Sequence, residues 1–226
     1  MQRYNIFSLV HKGLRALLYH TANTLQQTDF SSALEADPVM KQVTDVMDLF
    51  DRHAISEDNF ILPAIERFEP GVAALFRKER REDQVRGNRI RTLVQMFIHN
   101  FSTEERLLLG GAVRFAFVEF LTANLGQMAK EEDVLNNLLW ANYCDEELRA
   151  ITRQIVAQIA PEDLAKFSRW MLHGLNNREI ITWLKEVRNN AAGCVFNDLF
   201  SAAANELPES RWVIIKESLV DGAMVA

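Results

Sequence analysis

The chain has 226 residues, about one and a half average domains, and its 48% apolar and 25% charged content excludes a disordered polymer. Lys and Arg number 25 against 31 Asp and Glu, a net charge of −6, so the clustered basic face that nucleic acid requires is not expected. Nine Gly and five Pro are too few for a turn-rich all-β fold, and the balance favours long helices.

An all-α fold of nine helices is predicted, over 4–27, 38–68, 72–100, 103–141, 145–159, 162–173, 177–190, 194–205 and 209–220. The punctuation is local. Asp37-Pro38 reads as an N-cap followed by Pro at the first helical position, and Pro70-Gly71 as a tight link between helices. Ser102 with Glu105 has the spacing of a capping box, Asn176 with Glu179 is a weaker case, and Pro161-Glu162-Asp163 opens a helix with acids in its first turn. Gly193 and Pro208 mark the last two breaks. Four long helices with short links imply an antiparallel up-down four-helix bundle over residues 1–142. Residues 143–226 form a C-terminal extension of short helices, which packs on the bundle or makes a homodimer interface.

The N-terminal MQRYNIFSLVHKGLRALLYH is not expected to be a signal peptide, because His11, Lys12 and Arg15 interrupt its apolar run. The most apolar stretch, 107–129, contains Arg114 and Glu119 and opens on Gly110-Gly111, so no membrane span is expected. Cys144 and Cys194 make neither a disulfide framework nor a CxxC motif, which suits a reducing, cytoplasmic setting.

The chemical signal lies in what interrupts the apolar stripes. Each long helix should present an apolar residue inward every three or four positions. The first stripe is Phe7, His11, Leu14, Leu18, Leu25. The second is Val43, Met47, Phe50, His53, Glu57, Ile61, Ile65, Phe68. The third is Phe76, Glu79, Asp83, Arg86, Ile90, Leu93, Phe97, and the fourth is Leu121, Met128, Glu131, Leu135, Leu138. Buried charge costs several kcal/mol per ion unless paired or coordinated. A metal centre held by facing side chains would explain imidazoles and carboxylates on all four stripes. His53 and Glu57 are spaced i, i+4 and share one helix face, as do Gln127 and Glu131. His11, His53, Glu57 and Glu131 are the candidate ligands, with Glu79 or Asp83 completing the set. Each has a plainer reading as a satisfied core or surface group. Gln127 is a poor ligand and reads as a hydrogen-bonding neighbour.

HKGLR at 11–15, HAISEDNFILPAIE at 53–66 and NLGQMAKEEDVLNNLLW at 124–140 resemble the hemerythrin/HHE cation-binding superfamily, and LNNREIITWLKEVR at 175–188 is similar to the C-terminal extension of some members. The resemblance implies a four-helix bundle that holds a non-haem di-iron centre, here with a modified ligand set, that binds a small diatomic ligand, senses oxygen, iron or redox state, or handles iron. His11 matches the first-helix histidine, and His53 with Glu57 matches the second-helix HxxxE. In the fourth helix the pattern becomes Gln127-x-x-x-Glu131, without its histidine, and the third-helix histidine has no counterpart. Two other classes stand beside this one: a di-iron carboxylate oxidase, marked by an apolar substrate channel, and a metal-free bundle serving as an interaction module.

Overall fold

The computed structural model describes residues 3–100 and 102–221; positions 1–2 and 222–226 of the predicted extents lie outside it. The described residues are helical and contain no strand. Eleven α-helices follow in order: α1 (Ser8–Gln27), α2 (Ala33–Ser56), α3 (Leu62–Glu66), α4 (Pro70–Ile98), α5 (Thr103–Lys130), α6 (Asn136–Asn142), α7 (Asp145–Gln158), α8 (Pro161–Gly174), α9 (Asn177–Asn190), α10 (Gly193–Glu206) and α11 (Glu209–Asp221). A π-helical turn, Glu57–Ile61, joins α2 to α3, and a second, Glu131–Leu135, joins α5 to α6. Counted through these turns, the nine predicted helices are present among the described residues.

The caps follow the sequence signals with one shift. Ser102 caps α5 by accepting from the Glu105 N–H, and Asn176 and Glu179 form a reciprocal box at α9. Pro70 and Pro161 take first-turn positions, where a missing N–H costs nothing. Asp37-Pro38 does not open α2. The helix begins five residues earlier at Ala33, and Pro38 sits inside it. The bond that Pro38 forgoes is the one to Leu34, an exposed first-turn residue. Asp37 is thereby released to pair with Arg106 of α5 at 2.7 Å.

The chain divides into two compact units. The first comprises 3–7 and Leu17–Ile159; the second comprises Ser8–Ala16 and 160–221. One continuous helix, α1, therefore contributes its last eleven residues to the first unit and its first nine to the second.

In the first unit α4 packs on α2, α3 and α5, and α3 touches α6. Leu17, Leu18, Leu25, Met40, Met47, Phe97 and Phe117 are fully buried there. At one end Phe7, Ile61, Leu62, Ile65, Phe76, Leu135, Leu139 and Leu148 form a common cluster. A buried Leu or Phe contributes roughly 1.5–3 kcal/mol over an exposed one, so Leu148 ties α7 to this core. Asp145 adds a second tie, accepting from the Arg3 guanidinium at 2.6 Å and the Tyr4 N–H at 3.1 Å. The division consequently falls after Ile159, one helix beyond the expected 142/143 boundary. The helix through α5 and α6, Thr103–Asn142, is the one among the described residues long and apolar enough to cross a membrane. Only 33% of its most apolar window is buried.

In the second unit α8 packs on α10, and α9 on α10 and α11, around Leu172, Leu175, Ile180, Leu184, Leu199 and Ile215. Leu9 of α1 joins this cluster, and Lys12 pairs with Glu179. The backbones of α1 and α8 touch at two glycines. A Cβ on Gly174 would lie 2.2 Å from the Lys12 carbonyl oxygen, and one on Gly13 would lie 2.8 Å from the Met171 nitrogen.

Candidate metal centre

His53 lies in the last turn of α2 with its side chain 12% exposed. Glu57 follows as the first residue of one π-turn, and Glu131 is the first residue of the other; they are 3% and 2% exposed. Each π-turn inserts one extra residue, so the inward face spreads over two adjacent positions. Ile61 and Leu135, four residues on, and Leu62 and Asn136, five residues on, are all buried, and the Leu62 and Asn136 N–H groups donate to the carbonyls of Glu57 and Glu131. Two residues depart from the expected stripes. Phe68 lies in the turn beyond the end of α3 and is 48% exposed, and past the second π-turn Leu139 is buried in place of Leu138. π-turns inside α-helices concentrate at functional sites. Here both of them begin at a buried carboxylate.

His53, Glu57 and Glu131 each present one ligand-type atom, and these atoms lie within 4.8 Å of one another. His53 Nε2 stands 3.3 Å from Glu57 Oε1. Glu131 Oε1 accepts from Gln127 Nε2 at 3.0 Å, so Gln127 serves as a hydrogen-bonding neighbour. His11 lies on α1 at 0% exposure, as do the stripe residues Leu14 and Leu18 to within 1%.

The α4 side chain at the centre is Arg80. Inward positions on α4 are Ala73, Phe76, Arg80, Asp83, Gly87, Ile90, Val94 and Phe97, alternating by three and four. Arg80 is 7% exposed. Its Nη2 donates to Glu57 Oε2 at 2.5 Å and stands 3.7 Å from Glu131 Oε1. Its Nη1 donates to the Ala54 carbonyl at 2.5 Å and to Asp58 Oδ1 at 2.9 Å. Glu79, expected at this place, is one position off the stripe, and it pairs with Lys130 at 2.7 Å and stays away from the group. Asp83 does point inward, bonded to Arg86 Nη1 at 2.7 Å. Burial pushes the Asp83 carboxyl up, and the Arg86 bond opposes this.

Beside the group lies a cavity of ≈ 380 Å³. Met47, Phe50, Phe120 and Met128 form its apolar wall, and His53, Glu57, Arg80, Gln127 and Glu131 line its polar end. Gly87 takes a stripe position where a larger side chain would fill that space; a Cβ there would meet nothing closer than 3.7 Å. Asn136 is a further polar residue that the stripes did not mark. Neither of its side-chain atoms has a hydrogen-bond partner among the described residues.

The donor set fits a first-row transition metal. Imidazole nitrogen with carboxylate oxygen suits iron, manganese or zinc, and the absence of thiolate argues against copper(I) or an iron–sulfur cluster. Comparison with protein-family models, with curated proteins and with solved structures finds no match for this chain.

Proposed function

We propose that the chain is a hemerythrin-like metal-binding protein, with His53, Glu57 and Glu131 as ligands of non-haem iron and an up-down helical bundle as their scaffold. The observation that carries this reading is the pair of π-turns. Two carboxylates on separate helices are buried to 3% and 2% exposure, each at the head of such a turn, with an imidazole 3.3 Å from one of them. His11, the further ligand expected from the sequence, is fully buried and belongs to the second unit. When bound, iron with an open position supplies reversible capture or reduction of a diatomic ligand. The chain's own groups bind and orient it, and the cavity beside them gives a small molecule a route in. The role that follows is oxygen, iron or redox sensing, or iron handling. Cys144 and Cys194 are both free and exposed, which suits a cytoplasmic location.

The test is metal content after expression with added iron. Wild type should retain iron, and the His53→Ala, Glu57→Ala double variant should lose it. Equal content in the two proteins would overturn the proposal. A specific observation favours a second reading: Arg80 already compensates Glu57, so the group can stand as a metal-free internal ion pair inside an interaction module. In that case neither protein would hold metal above background.

A further inference from the structure

We infer that the site is built for one metal ion per chain, because the Arg80 guanidinium holds the place of a second cation. This rests on the metal-binding reading above. Three observations carry it. First, Arg80 is fixed. Its Nη1 is held by the Ala54 carbonyl at 2.5 Å and by Asp58 at 2.9 Å, so the guanidinium is anchored to the helix that bears His53 and Glu57. Second, it stands between the carboxylates, with Nη2 2.5 Å from Glu57 Oε2 and 3.7 Å from Glu131 Oε1. Two-metal centres keep their ions about 3.5–4 Å apart and need carboxylates that reach both. Glu57 has given Oε2 to Arg80, which leaves Oε1, the oxygen facing His53, as its one ligand atom. It can end on an ion but cannot bridge two. Third, the charges close. Glu57, Glu131 and Asp58 carry three negative charges, and Arg80 with one divalent ion carries three positive charges. A second divalent ion would leave a surplus of two positive charges in a group that is mostly buried, where uncompensated charge is costly.

The experiment is cobalt(II) titration of the full chain under argon, read by visible absorption and by elemental analysis after desalting. Circular dichroism confirms that each variant is folded. Wild type should saturate at one ion per chain. Arg80→Gln, which keeps most of the side-chain length and removes the charge, should bind cobalt at least tenfold more tightly, since a fixed cation no longer opposes the ion. Arg80→Lys, a second variant that keeps the charge, should stay at one ion without that gain. Two ions in wild type would overturn this inference and leave the metal-binding reading standing. One ion with unchanged affinity in Arg80→Gln would also overturn it. No ion in wild type would overturn both.

Discussion

Replacing Arg80 with Met should separate the metal's contribution to stability from the arginine's. Met fills a similar volume but carries no charge. The substitution removes the 2.5 Å bond to Glu57, the 2.9 Å bond to Asp58 and the 3.7 Å approach to Glu131. Glu57 and Glu131 then face each other at 3% and 2% exposure without their cation. Breaking a buried pair by removing one partner typically costs about 3–5 kcal/mol. In a chain of this size each kcal/mol shifts Tm by roughly 2–4 °C, so chelated Arg80→Met should melt about 6–20 °C below chelated wild type. A bound divalent ion replaces the missing charge. At a hundred times its Kd it adds about 2.7 kcal/mol to the folded state, and more where affinity has risen. Thermal melts of both proteins, with chelator and with iron(II) under argon, provide the measurement. The iron-induced rise in Tm should be larger in the variant. A chelated variant within about 2 °C of wild type would refute the reasoning, since the carboxylates would then not depend on Arg80.

Gln127→His should strengthen metal binding, because Gln127 Nε2 lies 3.0 Å from Glu131 Oε1 and imidazole is a far better iron ligand than an amide; unchanged affinity by cobalt titration would exclude that position from the site. Asp83→Asn should alter the pH profile. Burial raises the folded carboxyl above its ordinary 3.8, so the ionised form opposes folding and wild type gains stability as pH falls through the raised value towards 3.8. Denaturant melts between pH 4 and 7 should show this slope in wild type and a flatter one in the variant, with the variant no less stable at pH 7. Gly174→Ala should loosen the second unit, because the added methyl would fall 2.2 Å from the Lys12 carbonyl, and backbone there cannot swing aside. Overpacking of this kind costs roughly 1–3 kcal/mol, and hydrogen exchange across α8 and α9 should quicken while the amides of α4 hold their protection.

The nine helices were legible because their ends carry local chemistry: Ser102, Asn176, Pro70 and Pro161 act within one turn of themselves. His11, Glu57 and Glu131 could be placed inside for a related reason, since an ionisable residue on an apolar stripe is conspicuous without knowledge of its neighbours. The π-turns could not be found this way. They arise from packing around Glu57 and Glu131, and nothing in EDNFI or EEDVL differs from ordinary helix. Their one-residue slip moved burial from the predicted Leu138 to Leu139. Arg80 was missed through register. A stripe built from Phe76 by threes and fours reaches 79 or 80 equally well, and the long-range pairing with Glu57 decided between them. The Cys144–Glu147 box that starts α7 is a weak signal because Cys is an unusual cap.

The division of α1 between two units has a consequence for synthesis on the ribosome. The second unit is assembled from nine residues, Ser8–Ala16, and from helices more than 140 residues later, from residue 160 on. Ser8–Ala16 leaves the ribosome well before its complement, which begins only at residue 160. At about 5–20 residues per second, those nine residues wait roughly 7–30 s before α8 begins to appear. Through that interval Leu9 and the bare backbone at Gly13 have no α8 to meet. Nascent chains stalled before residue 160 should therefore be the species that chaperones engage at the N-terminal segment, and release should coincide with emergence of the last helices.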